Sequence, residues 1–360
     1  MKKLLLLSVL FISITSAAQM TAPDDGGSVR ATVSERIGIT DVSITYGRPG
    51  VKGREGKIWG DLVHEGFKQE SFGGGNPIPW RAGANETTTI AFSTEVFVEG
   101  TPIPAGKYGF FIAYSPSRCT LIFSNINDSW GSYFYNEKED IARVMVTPRP
   151  LKEAIERLKY EFTDQQDSSA VITLSWDKLA IPFKVSVPLH QLQMATFKKE
   201  LMSAKGFDVE AWLQYAHYLK DHNTNLDEAL KYATSATRSA PGFRSFIAKA
   251  DILYLLNKDK EGDTAMEKAA YYGNPYQLHY YALGKLNQNH NQLALKAFKL
   301  NHSKHQDLYI ANLGLVKGYQ AAGDSKAALS AAKKALSVAK DEKSRTEIES
   351  IIAELNKKGS

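Results

Sequence analysis

Phe183-Lys184-Val185-Ser186-Val187-Pro188-Leu189 is the stretch where the chain changes period. Up to Val187, apolar and polar residues alternate, the pattern of a strand with one buried face. From Pro188 onward apolar residues recur every three or four positions, Gly and Pro thin out and Ala becomes frequent, the pattern of packed helices. This switch predicts two parts, an N-terminal all-β antiparallel sandwich or barrel and a C-terminal all-α solenoid.

Working back from the switch, short alternating runs recur between Gly- and Pro-rich turns. Val42, Ile44 and Tyr46 alternate, then Thr88, Ile90 and Phe92, then Val96 and Val98. Lys107 to Tyr114, Cys119 to Ser124, Ile141 to Val146, Leu158 to Phe162 and Ala170 to Trp176 read as further strands. Thr101-Pro102-Ile103-Pro104-Ala105-Gly106 forms a connecting turn, and Phe67 to Pro79, with three consecutive Gly, reads as a long surface loop. Many short strands at this spacing indicate an antiparallel sandwich or barrel over residues 34–187.

Working forward, Pro241 and Pro275 are 275 − 241 = 34 residues apart, the length of a tetratricopeptide repeat. Trp212, Ala229, Ala233, Ala236 and Pro241 fit one unit, Ala294 and Phe298 a later one, and Leu315, Tyr319, Ala328, Ala332 and Ala335 another. The second unit carries Asp263 where a small residue is expected. Leu336 to Leu355 reads as a polar capping helix, so the helical repeats are expected over 189–355. Such helix pairs bury their apolar sides only by stacking, which leaves a groove suited to a peptide or partner protein.

Lys2-Lys3, the apolar run Leu4 to Ile14 and the small residues Ser16, Ala17 and Ala18 read as a secretory signal peptide, residues 1–18, cleaved near Ala18. Residues 19–33, polar and Gly-rich, read as a flexible mature N-terminus. The apolar run is shorter than the ~20 residues of a membrane span, so the chain is expected to be exported and soluble, in the periplasm or outside the cell. Cys119 is the single cysteine, which rules out an intramolecular disulfide. The formal net charge of +5 becomes 5 − 2 = +3 without Lys2 and Lys3. Without dense Lys/Arg clusters and interleaved aromatics, nucleic acid is not an expected partner. No cofactor motif or metal cage is evident: His302 and His305, three apart with Asp307 nearby, read as solvated surface at a repeat junction.

The densest chemistry lies in Trp80-Arg81-Ala82-Gly83-Ala84-Asn85-Glu86-Thr87-Thr88. Trp80 offers an aromatic plate, Arg81 and Glu86 opposite charges, and Asn85 a donor and an acceptor. Trp130 and Tyr135 add a second aromatic wall, and Arg48 and Lys52, on the Gly- and Pro-rich loop after the first strand, add cations. Aromatic plates with amide and carboxylate hydrogen-bonders suit a carbohydrate or a small anionic ligand. The bland alternative is an Arg81–Glu86 salt bridge fixing a bulged strand, with Trp80 in the core. Glu86 with Asp140 or Asp128 would supply the two carboxylates of glycoside hydrolysis. A Ser/His/Asp site is disfavoured because His64 is the sole His before His190.

Together, Tyr46-Gly47-Arg48-Pro49, Lys52-Gly53-Arg54, the Trp80–Thr88 stretch, Pro104-Ala105-Gly106-Lys107-Tyr108, Trp130-Gly131 and Asp140-Ile141-Ala142-Arg143-Val144 carry a resemblance. In this order they resemble the DUF2911 family, over roughly Ser34 to Val187. The resemblance implies an exported protein, mainly of Bacteroidetes, often joined to tetratricopeptide repeats, and implies no catalytic role. The Phe67 to Pro79 segment departs from the family pattern as an insertion. The expectation is a ligand-recognition β domain joined to a peptide- or protein-binding scaffold, more a binding protein than an enzyme. A periplasmic glycosidase-like hydrolase and a purely structural protein are the alternatives.

Overall fold

The computed structural model describes residues 27–71 and 73–359. The expected signal peptide and most of the expected flexible N-terminus therefore lie outside the described residues. The chain divides into two compact units, residues 1–194 and 195–360. Helix α1 (Leu189–Leu201) begins in the first and ends in the second.

The first unit is an antiparallel sandwich. Its six-stranded sheet has the order β1 (Val29–Ile37), β2 (Thr40–Arg48), β5 (Thr89–Phe92), β8 (Gly106–Ala113), β9 (Cys119–Ser124), β10 (Asp140–Val146). The second sheet has the order β11 (Arg149–Gln166), β12 (Ser169–Ser186), β6 (Val96–Val98), β7 (Thr101–Ile103). Val42, Ile44, Ile90, Phe110, Leu121 and Phe123 from the first sheet meet Leu158, Tyr160, Ile172, Leu174 and Phe183 from the second in one core. Alternation places these side chains on the inner faces and polar residues outside.

Three features differ from the sequence expectation. β1 starts at Val29, ahead of the expected domain start at Ser34; its inward positions, Ala31, Val33, Glu35 and Ile37, mix small, charged and apolar residues, so period two is faint. The separate runs at 158–162, 170–176 and 183–187 belong to one hairpin of two 18-residue strands. Register shifts in this hairpin, one of them at Asp177 with φ +48°, broke the alternation the sequence shows. The segment after Phe67 is a small hairpin, β3 (Lys68–Gln69) against β4 (Pro77–Ile78). It helps bury the outer face of the large sheet, where Ile78 and Tyr135 pack on Phe111, Ala113 and Ile122. Strands β8 and β9 are thus covered on both faces, which explains the unbroken apolar run Phe110-Phe111-Ile112-Ala113-Tyr114.

The second unit is a stack of helix pairs. Pairs α2 (Val209–Asp221)/α3 (Leu226–Ser239), α4 (Phe243–Leu255)/α5 (Asp259–Tyr272), α6 (Pro275–Asn287)/α7 (Asn291–Lys304) and α8 (Tyr309–Ala321)/α9 (Ser325–Val338) are followed by α10 (Glu342–Gly359). First helices begin at 209, 243, 275 and 309, giving steps of 34, 32 and 34. The second helices α3 and α5 begin at 226 and 259, a step of 33, which corrects the register: Gly262, not Asp263, is the buried small residue of α5, packed against the Tyr254 ring. Asp263 instead accepts hydrogen bonds from the Tyr254 hydroxyl (2.8 Å) and the Lys296 ammonium (2.6 Å). Pro275 opens α6, in a capping box where Asn274 and Gln277 bond each other's backbone amides. In α10, Ile348 and Leu355 cover the last apolar face.

Candidate functional site

The Trp80–Thr88 stretch is an excursion from a strand. Trp80 exchanges backbone hydrogen bonds with Ile112 of β8 (3.0 and 2.9 Å), and the Thr88 carbonyl accepts from the Phe110 amide (2.7 Å). Residues 81–87 leave the ladder between these points and return to it. The return needs unusual backbone, and Ala82 (φ +50°) and Asn85 (φ +63°) supply it. The excursion is then pinned. Tyr160 donates its hydroxyl to the Ala82 carbonyl (2.8 Å), and Thr87 Oγ1 lies 2.6 Å from the Gly131 carbonyl and 2.8 Å from that of Ser129. Gly47 of β2 runs so close that a Cβ there would collide with the Ala84 carbonyl oxygen.

The expected site residues divide by role in this geometry. Trp80 is buried, stacked on Trp176 at 6.2 Å and edge-on to Trp59 at 5.4 Å, so its face is covered. Arg81 donates to the Asn85 carbonyl (2.8 Å), lies over the Tyr133 ring (5.2 Å) and rests on Gly131, where a Cβ would meet the guanidinium. Its partner is a backbone carbonyl four residues on, not Glu86. The Asn85 side chain donates to the Ser28 carbonyl (3.3 Å), and Glu86 is exposed. Arg48 donates from Nε to the Leu158 carbonyl (2.9 Å), and the Lys52 amide bonds the Glu156 carboxylate (3.1 Å). Trp130 is 55% exposed, whereas Tyr135 is fully buried.

Tyr135 and Asp140 belong to a different cluster. The Tyr135 hydroxyl donates to Asp140 Oδ2 (2.6 Å) and accepts from Arg143 Nη2 (2.8 Å), and Arg143 Nε donates to the same Oδ2 (2.8 Å). Burial raises the Asp140 carboxyl above its usual range against these bonds, and its buried Oδ1 has no partner among the described residues. Burial, then the bond to Asp140, raises the Tyr135 hydroxyl. Beside this cluster lies a cavity of about 300 Å³, walled on one side by Phe67, Asn76 and Pro77 of the 67–79 segment and on the other by Tyr135, Glu137 and Arg143. The Arg143 guanidinium lies 5.4 Å from the Phe67 ring centroid and 3.6 Å from a Glu137 carboxylate oxygen. The Asn76 amide donates to the Tyr135 carbonyl (3.1 Å), tying the 67–79 segment to the opposite wall.

Sequence reading singled out Tyr135 and Asp140 here but missed Phe67, Asn76, Glu137 and Arg143. Those residues lie some 60 to 75 positions apart on two segments that meet only through the sheet. Arg143 sits two residues before Met145 on the exposed face of β10, and its polar character carried no spacing signal.

In the helical unit, first helix α6 exposes Tyr276 (56%) and Tyr280 (65%), one turn apart, and the end of α5 exposes Tyr271 (76%). His302 and His305 stand at the end of α7, where the His305 amide closes the last turn.

Residues 28–185 match the model of a family described as protein of unknown function, DUF2911. No curated protein matches the chain. Among solved structures, the helical part is similar to MamA, at 16% identity over 39% of this chain and 84% of that one, with a TM-score of 0.27. It is also similar to TTC0263, a thermophilic TPR protein of Thermus thermophilus, at 16% identity over 45% of this chain and 90% of that one, TM-score 0.27. The match over 28–185 falls on the β unit, the region whose motifs carry the resemblance to DUF2911.

Proposed function

We propose that this chain is an exported recognition protein whose β unit takes a small hydroxyl-rich ligand and whose helical unit takes a peptide or protein segment. The observation that carries the first half is the Arg143–Glu137 pair beside the Phe67 and Tyr135 rings. Arg143 already faces the carboxylates of both Glu137 and Asp140, so an anion is not favoured. A vicinal diol suits the pair, because one hydroxyl donates to the carboxylate while its neighbour accepts from the guanidinium. The aromatic walls complement the C–H face of a sugar ring. A cavity of about 300 Å³ is at the small end of ligand sites, in keeping with one or two rings. A carbohydrate is therefore preferred over the anionic ligand. Export rests on Lys2-Lys3 and the Leu4 to Ile14 run.

Hydrolysis finds no support in this geometry. Glu86 is exposed on the excursion, while Asp140 is held by Tyr135 and Arg143. The peptide-binding half rests on the stacked helix pairs and the exposed Tyr276 and Tyr280, since large exposed aromatics mark recognition surfaces.

Thermal stabilisation by mono- and oligosaccharides tests the β-unit reading, because a ligand that binds only the folded state raises the melting temperature. A sugar is expected to raise it in the wild type and not in Phe67→Ala or Glu137→Gln. A shift retained in both variants, or none with any sugar, removes the cavity as a carbohydrate site.

A further inference from the structure

A cleft of about 420 Å³ lies between α3 and α5, the second helices of successive pairs, with α4 at its base. Its floor is apolar, made by Leu230, Leu253 and Ala265. Its rim carries Lys249, Lys258 and Lys268 against the single acid Glu261, a balance of 3 − 1 = +2. Elsewhere this unit supplies acids to its partly covered lysines. Lys285 meets Asp251 at 2.9 Å, Lys220 meets Asp221 at 3.0 Å and Lys296 meets Asp263 at 2.6 Å. Lys249 is half-buried and has no ion-pair partner among the described residues. Burial, then Arg238 and Lys268, lowers its ammonium pKa, so the charge stands in a field of like sign. Lys268 is also turned toward the cleft, 5.8 Å from the Phe246 ring centroid.

The cations are strung out rather than gathered. Lys258, which caps α5, and Lys268 within it are 268 − 258 = 10 residues apart, or roughly 15 Å at ~1.5 Å per residue. A single phosphate or carboxylate spans a fraction of that distance. An extended segment of about five residues, at ~3.3 Å each, covers it.

We propose that this cleft binds an acidic peptide segment carrying one large apolar side chain. The apolar side chain would lie on Leu230, Leu253 and Ala265, and carboxylates would meet Lys249 and Lys268. This surface is separate from Tyr276 and Tyr280 and from the sugar cavity, and does not rest on either reading.

The test is fluorescence anisotropy on the full chain with a short labelled peptide in which glutamates flank one tryptophan. The peptide is expected to bind the wild type and to lose at least about tenfold in affinity with Lys249→Met, the loss typical of a charged hydrogen bond. Lys249→Met should melt at or above the wild-type temperature, because it removes an uncompensated, partly buried charge, so a folding defect would not mimic the result. Lys268→Glu should weaken binding further, and Tyr276→Ala with Tyr280→Ala should leave it unchanged. Equal binding of a lysine-flanked peptide, unchanged affinity in Lys249→Met, binding abolished by the tyrosine variants, or palmitate binding in place of the peptide would each overturn the proposal.

Discussion

The two units solve the burial problem with different chemistry. The β unit holds its least regular segment by hydrogen bonds to carbonyls: Arg81 to Asn85, Tyr160 to Ala82, Thr87 to Gly131. The helical unit relies on shape, with Ala229, Gly262, Ala294 and Ala328 letting neighbouring helices close up. A pinned carbonyl leaves a buried polar atom when its donor is lost, whereas a shape fit fails only when volume is added or removed. The polar density of the Trp80–Thr88 stretch is thus largely the cost of an irregular backbone path, not by itself the mark of a site.

The largest effect that would sharpen this contrast is Gly47→Ala. The new Cβ collides with the backbone of Ala84, which cannot swing away as a side chain does, so a loss above roughly 3 kcal/mol is expected in urea unfolding of the β unit. Wild-type stability in that variant would break the idea that the excursion must lie against β2.

Acid should separate the units next. Burial, then Lys317, lowers the His279 pKa to about 4, from its ordinary 6.5. Below pH 6.5 the unfolded chain takes up a proton that folded His279 refuses, so stability falls as pH drops from 6.5 and levels off near 4. The loss is roughly 2–3 kcal/mol. Asp140 has the opposite sign: its raised folded pKa means the folded state binds the extra proton, and stability rises as pH falls toward the unfolded value. Circular dichroism melts across this window should show the helical transition moving down first, and His279→Gln should flatten that dependence. An unaltered pH profile in His279→Gln would show that another group governs it.

The smallest contrast lies inside the motif. Arg81→Ala should cost about 2 kcal/mol, from one charged hydrogen bond and one cation–π contact, while Glu86→Ala should leave the melting temperature unchanged. Equal losses in both would restore the Arg81–Glu86 salt bridge.

Much of this architecture was legible because it rests on period. The switch at Pro188, the alternation in β2, β5 and β12, and the Ala spacing in α3, α7 and α9 all report burial on a repeating face. The second helix pair slipped because α3 and α5 begin 259 − 226 = 33 residues apart, not 34, which put Gly262, not Asp263, at the small position. The opposed charges of Arg81 and Glu86 pointed to a salt bridge, but a helical-like spacing of four brought Arg81 to the Asn85 carbonyl instead. The cavity was illegible because Phe67 and Asn76 meet Glu137 and Arg143 only after β8 and β9 are in place between them. No local rule encodes such a meeting.

The β11–β12 hairpin also sets an order in time. Its turn joins Gln166 to Ser169, so its pairing closes with short loops, whereas the Arg48–Leu158 bond must wait for a loop of 110 residues. As the chain emerges from its N-terminal end, β1 through β10 are made while β11 and β12, the long strands of the covering sheet, are still missing. For that interval Ile44, Phe110 and Phe123 face water, and the nascent β unit depends on the arrival of its last hairpin to escape aggregation.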